Sequence, residues 1–148
     1  MPDGPQVSPA AQAVLNFAVK TASEHQHEFL TTEHLLYSLL QDMEAAEIIY
    51  ECGADPAVLS GELEEYFAET LEAVRQMDQP PEQTAGFEQT LRVALMHAIS
   101  SEKSTMDGGD LLAALYRVPD SFAVYFLEKQ GVSRLDVLSY NAHGVSKL

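Results

Sequence analysis

Apolar residues recur at three- and four-residue spacing along most of the chain, and polar or conformationally special residues break the pattern at regular places. Val14, Leu15, Ala18 and Ala22 form one stripe of a helix that Ser8 caps, with Pro9 at the first helical position, running to about His25. The turn HQHEFL follows, and then a second helix to about Gln41. Thr31 is its N-cap, Glu33 its first-turn carboxylate, and Leu35, Leu36, Leu39 and Leu40 make it apolar on more than one side. A helix apolar on several sides is packed by neighbours around it, so residues 23–40 are read as the centre of the fold. A third helix, roughly 45–52, carries Ile48 and Ile49 and stops at Gly53, which suits the left-handed position after a helix. Asp55-Pro56 restarts the pattern. The fourth helix carries Val58, Leu59, Leu63, Tyr66, Phe67 and Leu71, with Glu62, Glu64, Glu65 and Glu69 elsewhere on its surface.

The same design returns 76 positions later. Asp107 replaces Thr31 as N-cap, Asp110 is the first-turn acid, and Leu111, Leu112 and Leu115 replace Leu35, Leu36 and Leu39. Upstream, Leu15, Ala18 and Ala22 match Leu91, Ala94 and Ala98. Downstream, after a shift of two residues, Ile49, Gly53 and Asp55 match Leu127, Gly131 and Ser133. The second set of helices starts at a Thr84 cap, at Gly108, at Ser121 and at a Ser133 cap, the last ending near His143-Gly144. Residues 72–86 contain Pro80-Pro81 and read as the connection. Residues 1–7 read as a frayed leader. No alternating β-branched run lies between turn signals, so no strands are expected. The expected fold is all-α: two pseudo-symmetric four-helix repeats packed as one domain over residues 1–148. Repeat one covers about 8–75, a connecting loop about 76–83, and repeat two about 84–144.

At 148 residues the chain is long enough to bury a core. Its formal net charge is −15, and residues 42–88 hold thirteen carboxylates against Arg75 alone. That field repels phosphate backbones and anionic lipid, so neither nucleic acid nor a membrane is an expected partner; it draws a basic partner inward. Cys52 is the only cysteine, which rules out an intramolecular disulfide and favours buried packing over catalysis. The first residues lack a basic and an apolar region, and no apolar run approaches the ~20 residues that cross a bilayer, so a cytoplasmic location is expected.

Candidate chemistry is thin. His25, His27, Glu28 and His34 crowd together, but HEFLTTEH is not H-E-x-x-H, and the capped turn breaks helical register between the histidines. They read as polar histidines at a helix end, and a metal-dependent hydrolase using His25, His27 and Glu28 is the minority reading. No G-x-x-x-x-G-K-[ST], G-x-G-x-x-G or G-x-S-x-G is present. The expectation is no catalysis, no metal and no cofactor.

SEHQHEFLTTEHLLYSLL closely resembles the EHxHEFxTxEHLLxxLL signature that opens the N-terminal domain of ClpA-type AAA+ unfoldases. GVSRLDVLSYNAHG (residues 131–144) resembles that domain's VSRLDVxxxxxHG ending. On these motifs the chain is identified as a member of the Clp N-domain family, with the resemblance covering about residues 8–147. The resemblance implies a bacterial docking module for protein substrates and for the adaptor ClpS, which delivers N-degron substrates to a ClpA hexamer coupled to the protease ClpP. It also implies that Glu28, Glu33, Thr84 and Arg134 face the adaptor, with Thr84 inside the loosely matched QTAGFEQTL. Plainer readings stand beside these. Glu33 suits its helix dipole by ~0.3–1 kcal/mol, and Arg134 reads equally as a solvated first-turn residue. Glu28 is less easily explained, because an acid after a helix end is unfavourable to that helix. The ATPase modules are absent from these residues, so the expectation is an isolated domain ending just past its last helix. The alternative is a free-standing Clp-N protein that regulates or binds a partner in protein quality control.

Overall fold

The computed structural model describes residues 4–73 and 79–148. Within them run α1 (Pro9–Glu24), α2 (Thr32–Leu39), α3 (Met43–Glu51), α4 (Pro56–Thr70), α5 (Ala85–Ser100), α6 (Gly108–Leu115), α7 (Phe122–Lys129) and α8 (Arg134–His143). Most starts follow the expected caps. Ser8 Oγ accepts the Ala11 N–H at 3.0 Å, Thr84 Oγ1 that of Phe87 at 3.2 Å, and Ser133 Oγ that of Asp136 at 3.2 Å. The start of α3 departs from expectation by two residues, because Asp42 takes the capping role through the Ala45 N–H at 3.0 Å. Gly53 and Gly131, at φ +98° and +84°, follow α3 and α7 in the conformation that glycine adopts without a Cβ penalty.

Four two-residue strands correct the expectation of none. They are β1 (Gln6–Val7), β2 (Phe29–Leu30), β3 (Glu82–Gln83) and β4 (Thr105–Met106), with β1 parallel to β4 and β2 parallel to β3. A two-residue bridge is too short to carry a period-two pattern, which is why no sequence signal marks it. The bridges are related by the 76-residue shift. Gln6 N–H donates to Ser104 O at 3.0 Å and Ser8 N–H to Met106 O at 3.1 Å. Their counterparts are Glu82 N–H to Glu28 O at 2.9 Å and Thr84 N–H to Leu30 O at 3.1 Å. Each bridge ties the lead-in to the first helix of one repeat to the lead-in to the second helix of the other. Gln6 and Val7 are therefore part of the fold and not a frayed leader. Strand β3 falls within the expected connecting loop, whose residues 76–78 lie outside the described residues, as do residues 74–75 at the expected end of repeat one.

The two helices with leucines on several sides, α2 and α6, sit at the centre. Leu35, Leu36 and Leu39 of α2 and Leu111, Leu112 and Leu115 of α6 are completely buried. α2 packs on α1, α4, α5, α6 and α7, while α6 packs on α5, α3, α8, α2 and α1. The repeats interlock, because α3 of the first leans on α6 of the second and α7 of the second leans on α2 of the first. Cys52 is buried in the same core, and burial pushes its thiol up, away from nucleophilic use. Among the described residues no helix is long and apolar enough to cross a membrane.

Candidate docking site

The β2–β3 bridge joins the two segments that carry Glu28 and Thr84. The Glu28 side chain is exposed, and its backbone carbonyl accepts the Glu82 N–H. Thr84, half-buried, sits at the other end of the same bridge. Its hydroxyl donates to Leu30 O at 3.3 Å while accepting the Phe87 N–H. The pair is thus held on rigid backbone, although the two residues are 56 positions apart in sequence.

Glu33 lies differently. Only 6% of it is exposed, and its Oε2 accepts the Thr32 hydroxyl at 2.8 Å and the Ala123 N–H at 3.1 Å. Ala123 is in the first turn of α7, so this one carboxylate serves two helix N-termini from opposite repeats. The sequence showed the first role only. Because its acceptor oxygen is engaged and its surface covered, Glu33 offers little to a partner.

Arg134 opens α8 but is not a freely solvated side chain. It lines a groove of about 350 Å³ between α5, α6 and α8, walled by Val93, Met96, Ala113 and Leu138, with Arg117 on the same lining. Its Nε is buried without a hydrogen-bond partner among the described residues. Ala113, on the wall of the groove, occupies the position equivalent to Tyr37 of repeat one. In repeat one Tyr37 stacks on Phe17 at 6.3 Å, meets Phe67 edge-on at 5.6 Å and donates its hydroxyl to Glu64 at 2.8 Å. The tyrosine-to-alanine difference was visible in the repeat alignment. The groove was not, because it depends on what α8 brings alongside. No hydrogen bond or ion pair among the described residues joins Arg134 to Glu28, Glu33 or Thr84.

The crowded histidines form a hydrogen-bonded chain. The Thr31 N–H, a fixed donor, points at His34 Nδ1 at 3.0 Å, which makes that nitrogen an acceptor and leaves the proton on Nε2. His34 Nε2–H then donates to His27 Nδ1 at 2.9 Å, and His34 stacks on Phe67 with ring centres 4.8 Å apart. His25 Nδ1 bonds to the Thr21 carbonyl at 2.8 Å. Burial, then the neighbouring imidazoles, push His34 down to about 3, and burial followed by His25 also lowers His27. Repeat two uses different chemistry at the same positions: Lys103 Nζ and the buried Asp110 carboxylate, 2.6 Å apart. Among the described residues, no group of three or more His, Cys, Asp or Glu side chains is arranged to hold a metal ion.

Comparison with known proteins agrees with this architecture. The chain matches the model of the family described as Clp repeat (R) N-terminal domain over residues 6–130. It is 30% identical to a ClpA homolog protein of Fuscovulum blasticum over 145 residues, 97% of this chain. The chain spans 18% of the length of that relative. Among solved structures, the Hsp104 N-terminal domain from Candida albicans superimposes with a TM-score of 0.80 at 12% identity, covering 93% of this chain and 90% of that one. The ClpV N-domain, in its complex with a VipB peptide, gives 0.72 at 19% identity, covering 96% and 89%. Those two likenesses concern the fold alone. This chain belongs to the Clp repeat (R) N-terminal domain family, the partner-docking domains of Clp ATPases.

Proposed function

We propose that this chain docks the adaptor ClpS, and through it N-degron substrates, for a ClpA-type unfoldase working with ClpP in a bacterial cytoplasm. The observation that carries the reading is the β2–β3 bridge, which ties the backbone of Glu28, whose carboxylate is exposed, to the strand that leads into Thr84, with the two residues at opposite ends of one short edge. Arg134 extends the surface at α8, where the apolar walls of its groove supply the burial that exposed ion pairs lack, since such pairs give only ~0–1 kcal/mol each. Glu33 enters this reading as the residue that holds α7 against α2 and so keeps the surface in shape. The chain itself carries no catalytic step in this reading. A second reading has one observation in its favour. The α5–α6–α8 groove is a ready seat for a short peptide, and a ClpV N-domain has been solved with a VipB peptide. A free-standing partner-binding protein would use the same groove.

Titrating fluorescently labelled ClpS separates these readings. Binding to the wild-type chain is expected, and Glu28→Lys is expected to weaken it at least about tenfold, roughly 1.4 kcal/mol. Arg134→Ala is expected to weaken it by a smaller factor. Unchanged affinity in Glu28→Lys would remove that carboxylate from the site. No binding of ClpS to the wild type would leave the peptide groove as the working surface and return the adaptor reading to nothing.

A further inference from the structure

The seam between α4 and α7, which shares no lining residue with the Arg134 groove, holds a second arrangement. We propose that it is a docking site for an arginine or lysine side chain of a polypeptide partner, taken between aromatic rings and held by carboxylates. The seam is a slot of about 290 Å³. Tyr66 of α4 faces Phe122 of α7 with ring centres 5.0 Å apart, and Tyr125 stands nearly at right angles to Phe122 at 6.3 Å. Phe122 and Tyr125 are each about half exposed, at 50% and 55%, which is unusual for aromatic rings that have one another to pack against. The acids line the same slot: Glu62, Glu65 and Glu69 all come from α4.

The combination selects a cation attached to apolar neighbours. Aromatic faces carry negative potential and attract a guanidinium or ammonium within reach of the ring. Three carboxylates against the single Lys129 leave the slot with a charge of −2, so an anionic or neutral apolar segment gains less there than a basic one. The protein already places one cation of its own in the slot. Lys129 Nζ reaches Glu62 Oε2 at 2.7 Å from a half-exposed side chain. The other oxygen of the same carboxylate, Glu62 Oε1, is buried with no hydrogen-bond partner among the described residues. A guanidinium brings several N–H groups to the exposed carboxylates of the slot, Glu65 and Glu69, which Lys129 leaves free. A polypeptide is the fitting source, because the exposed halves of Phe122 and Tyr125 call for apolar side chains beside the cation.

The test uses the whole chain and two synthetic peptides: acetyl-Ala-Leu-Arg-Leu-Ala-amide, and the same sequence with citrulline in place of arginine, which keeps the shape and removes the charge. In ¹H–¹⁵N spectra, the arginine peptide is expected to move the amides of Tyr66, Tyr125 and Phe126. The citrulline peptide is expected to leave them in place. Tyr125→Ala, a half-exposed position whose removal leaves the core intact, is expected to abolish the shifts. Lys129→Ala removes the resident competitor and is expected to tighten binding about threefold, the worth of a typical exposed ion pair. Equal binding of the two peptides, shifts mapping to another face, no shifts at millimolar peptide, or weaker binding in Lys129→Ala would each overturn the proposal. The residues proposed for ClpS, Glu28, Thr84 and Arg134, do not line this slot, so the peptide test and the ClpS titration fail separately.

Discussion

Asp110→Ala is expected to destabilise the domain by about 3 kcal/mol, the largest single effect we foresee from one side chain. Asp110 is 1% exposed and stands in the first turn of α6, the helix whose every residue is buried. Its carboxylate accepts from His97 Nδ1 at 2.7 Å, from Lys103 Nζ at 2.6 Å and from the Asp107 N–H at 2.8 Å. Alanine strips all three donors of their acceptor at once. The Asp107 N–H, one of the orphan amides of a helix start, is then left part-buried without its acceptor. Lys103 is a third exposed and regains some water, which keeps the loss from being larger. Asp110→Asn keeps an oxygen for the Asp107 amide and gives up the ionic part, so it should lose about half as much. Urea unfolding at pH 7 measures both. The midpoint should fall with an unchanged slope, and an alanine variant within about 1 kcal/mol of wild type would show that the ion cluster does not hold α6 in place.

Acid should unfold this protein through the other repeat. His34 is neutral in the fold, pushed down to about 3 by burial and then by its imidazole neighbours, against an ordinary 6.5 in the unfolded chain. As pH falls through 6.5 the unfolded chain takes up a proton that the folded chain refuses. Stability is therefore complete above 6.5 and is lost progressively below it, down to the folded value near 3. At pH 5 the difference of 1.5 units corresponds to about 2 kcal/mol from this one residue. His27, shifted in the same direction, adds to the loss. The hydrogen-bond chain explains why the proton is refused. A proton on His34 Nδ1 would face the Thr31 N–H, and one on His27 Nδ1 would face the proton already on His34 Nε2, so either step sets donor against donor. His34→Gln retains an acceptor for the Thr31 amide in the manner of an ordinary capping box and has nothing to titrate. Comparing unfolding free energies at pH 7 and pH 5, wild type should lose about 2 kcal/mol more than this variant. Equal losses in both would place the acid sensitivity outside the histidine chain.

The two repeats thus solve one problem with different chemistry. The second helix of each needs an acceptor at its third residue and a partner reaching in from the preceding turn. Repeat two uses a carboxylate and a lysine, and repeat one uses two imidazoles. By position the 76-residue shift sets Lys103 opposite His27 and Asp110 opposite His34, whereas in sequence Asp110 reads as the counterpart of Glu33, the first-turn acid. That His27 meets His34 and Lys103 meets Asp110 was hidden, because the turn between Ala22 and Leu30 gives no periodic signal for where its side chains point. Gln26 and Glu102 mark the same turn in both halves, each with φ near +55°, an unusual conformation for residues other than glycine.

Legibility followed the range of the physics. Helix starts, glycine stops and apolar stripes are local matters, decided by a hydroxyl or carboxylate two or three residues from the amide it caps. Those were readable from Ser8, Thr31, Asp55, Thr84 and Ser133 without any structure. The exception at α3 shows the limit even there, since the expected start near residue 45 followed the apolar pattern and passed over the Asp42 cap. The doubled pattern also fixed the number of helices and named α2 and α6 as the ones to be buried on all sides.

What the chain order alone determined about this protein is therefore its all-helical character, its repetition and its buried centre, because each depends on spacing within a dozen residues. Only the tertiary structure decided how the halves interlock: the two short parallel bridges, the carboxylate of Glu33 capping a helix 90 residues away, and the groove that α5, α6 and α8 form at Arg134. The reason is that a hydrogen bond or a cavity between distant segments is a property of two surfaces meeting, and neither surface records in its own sequence which other one it will meet.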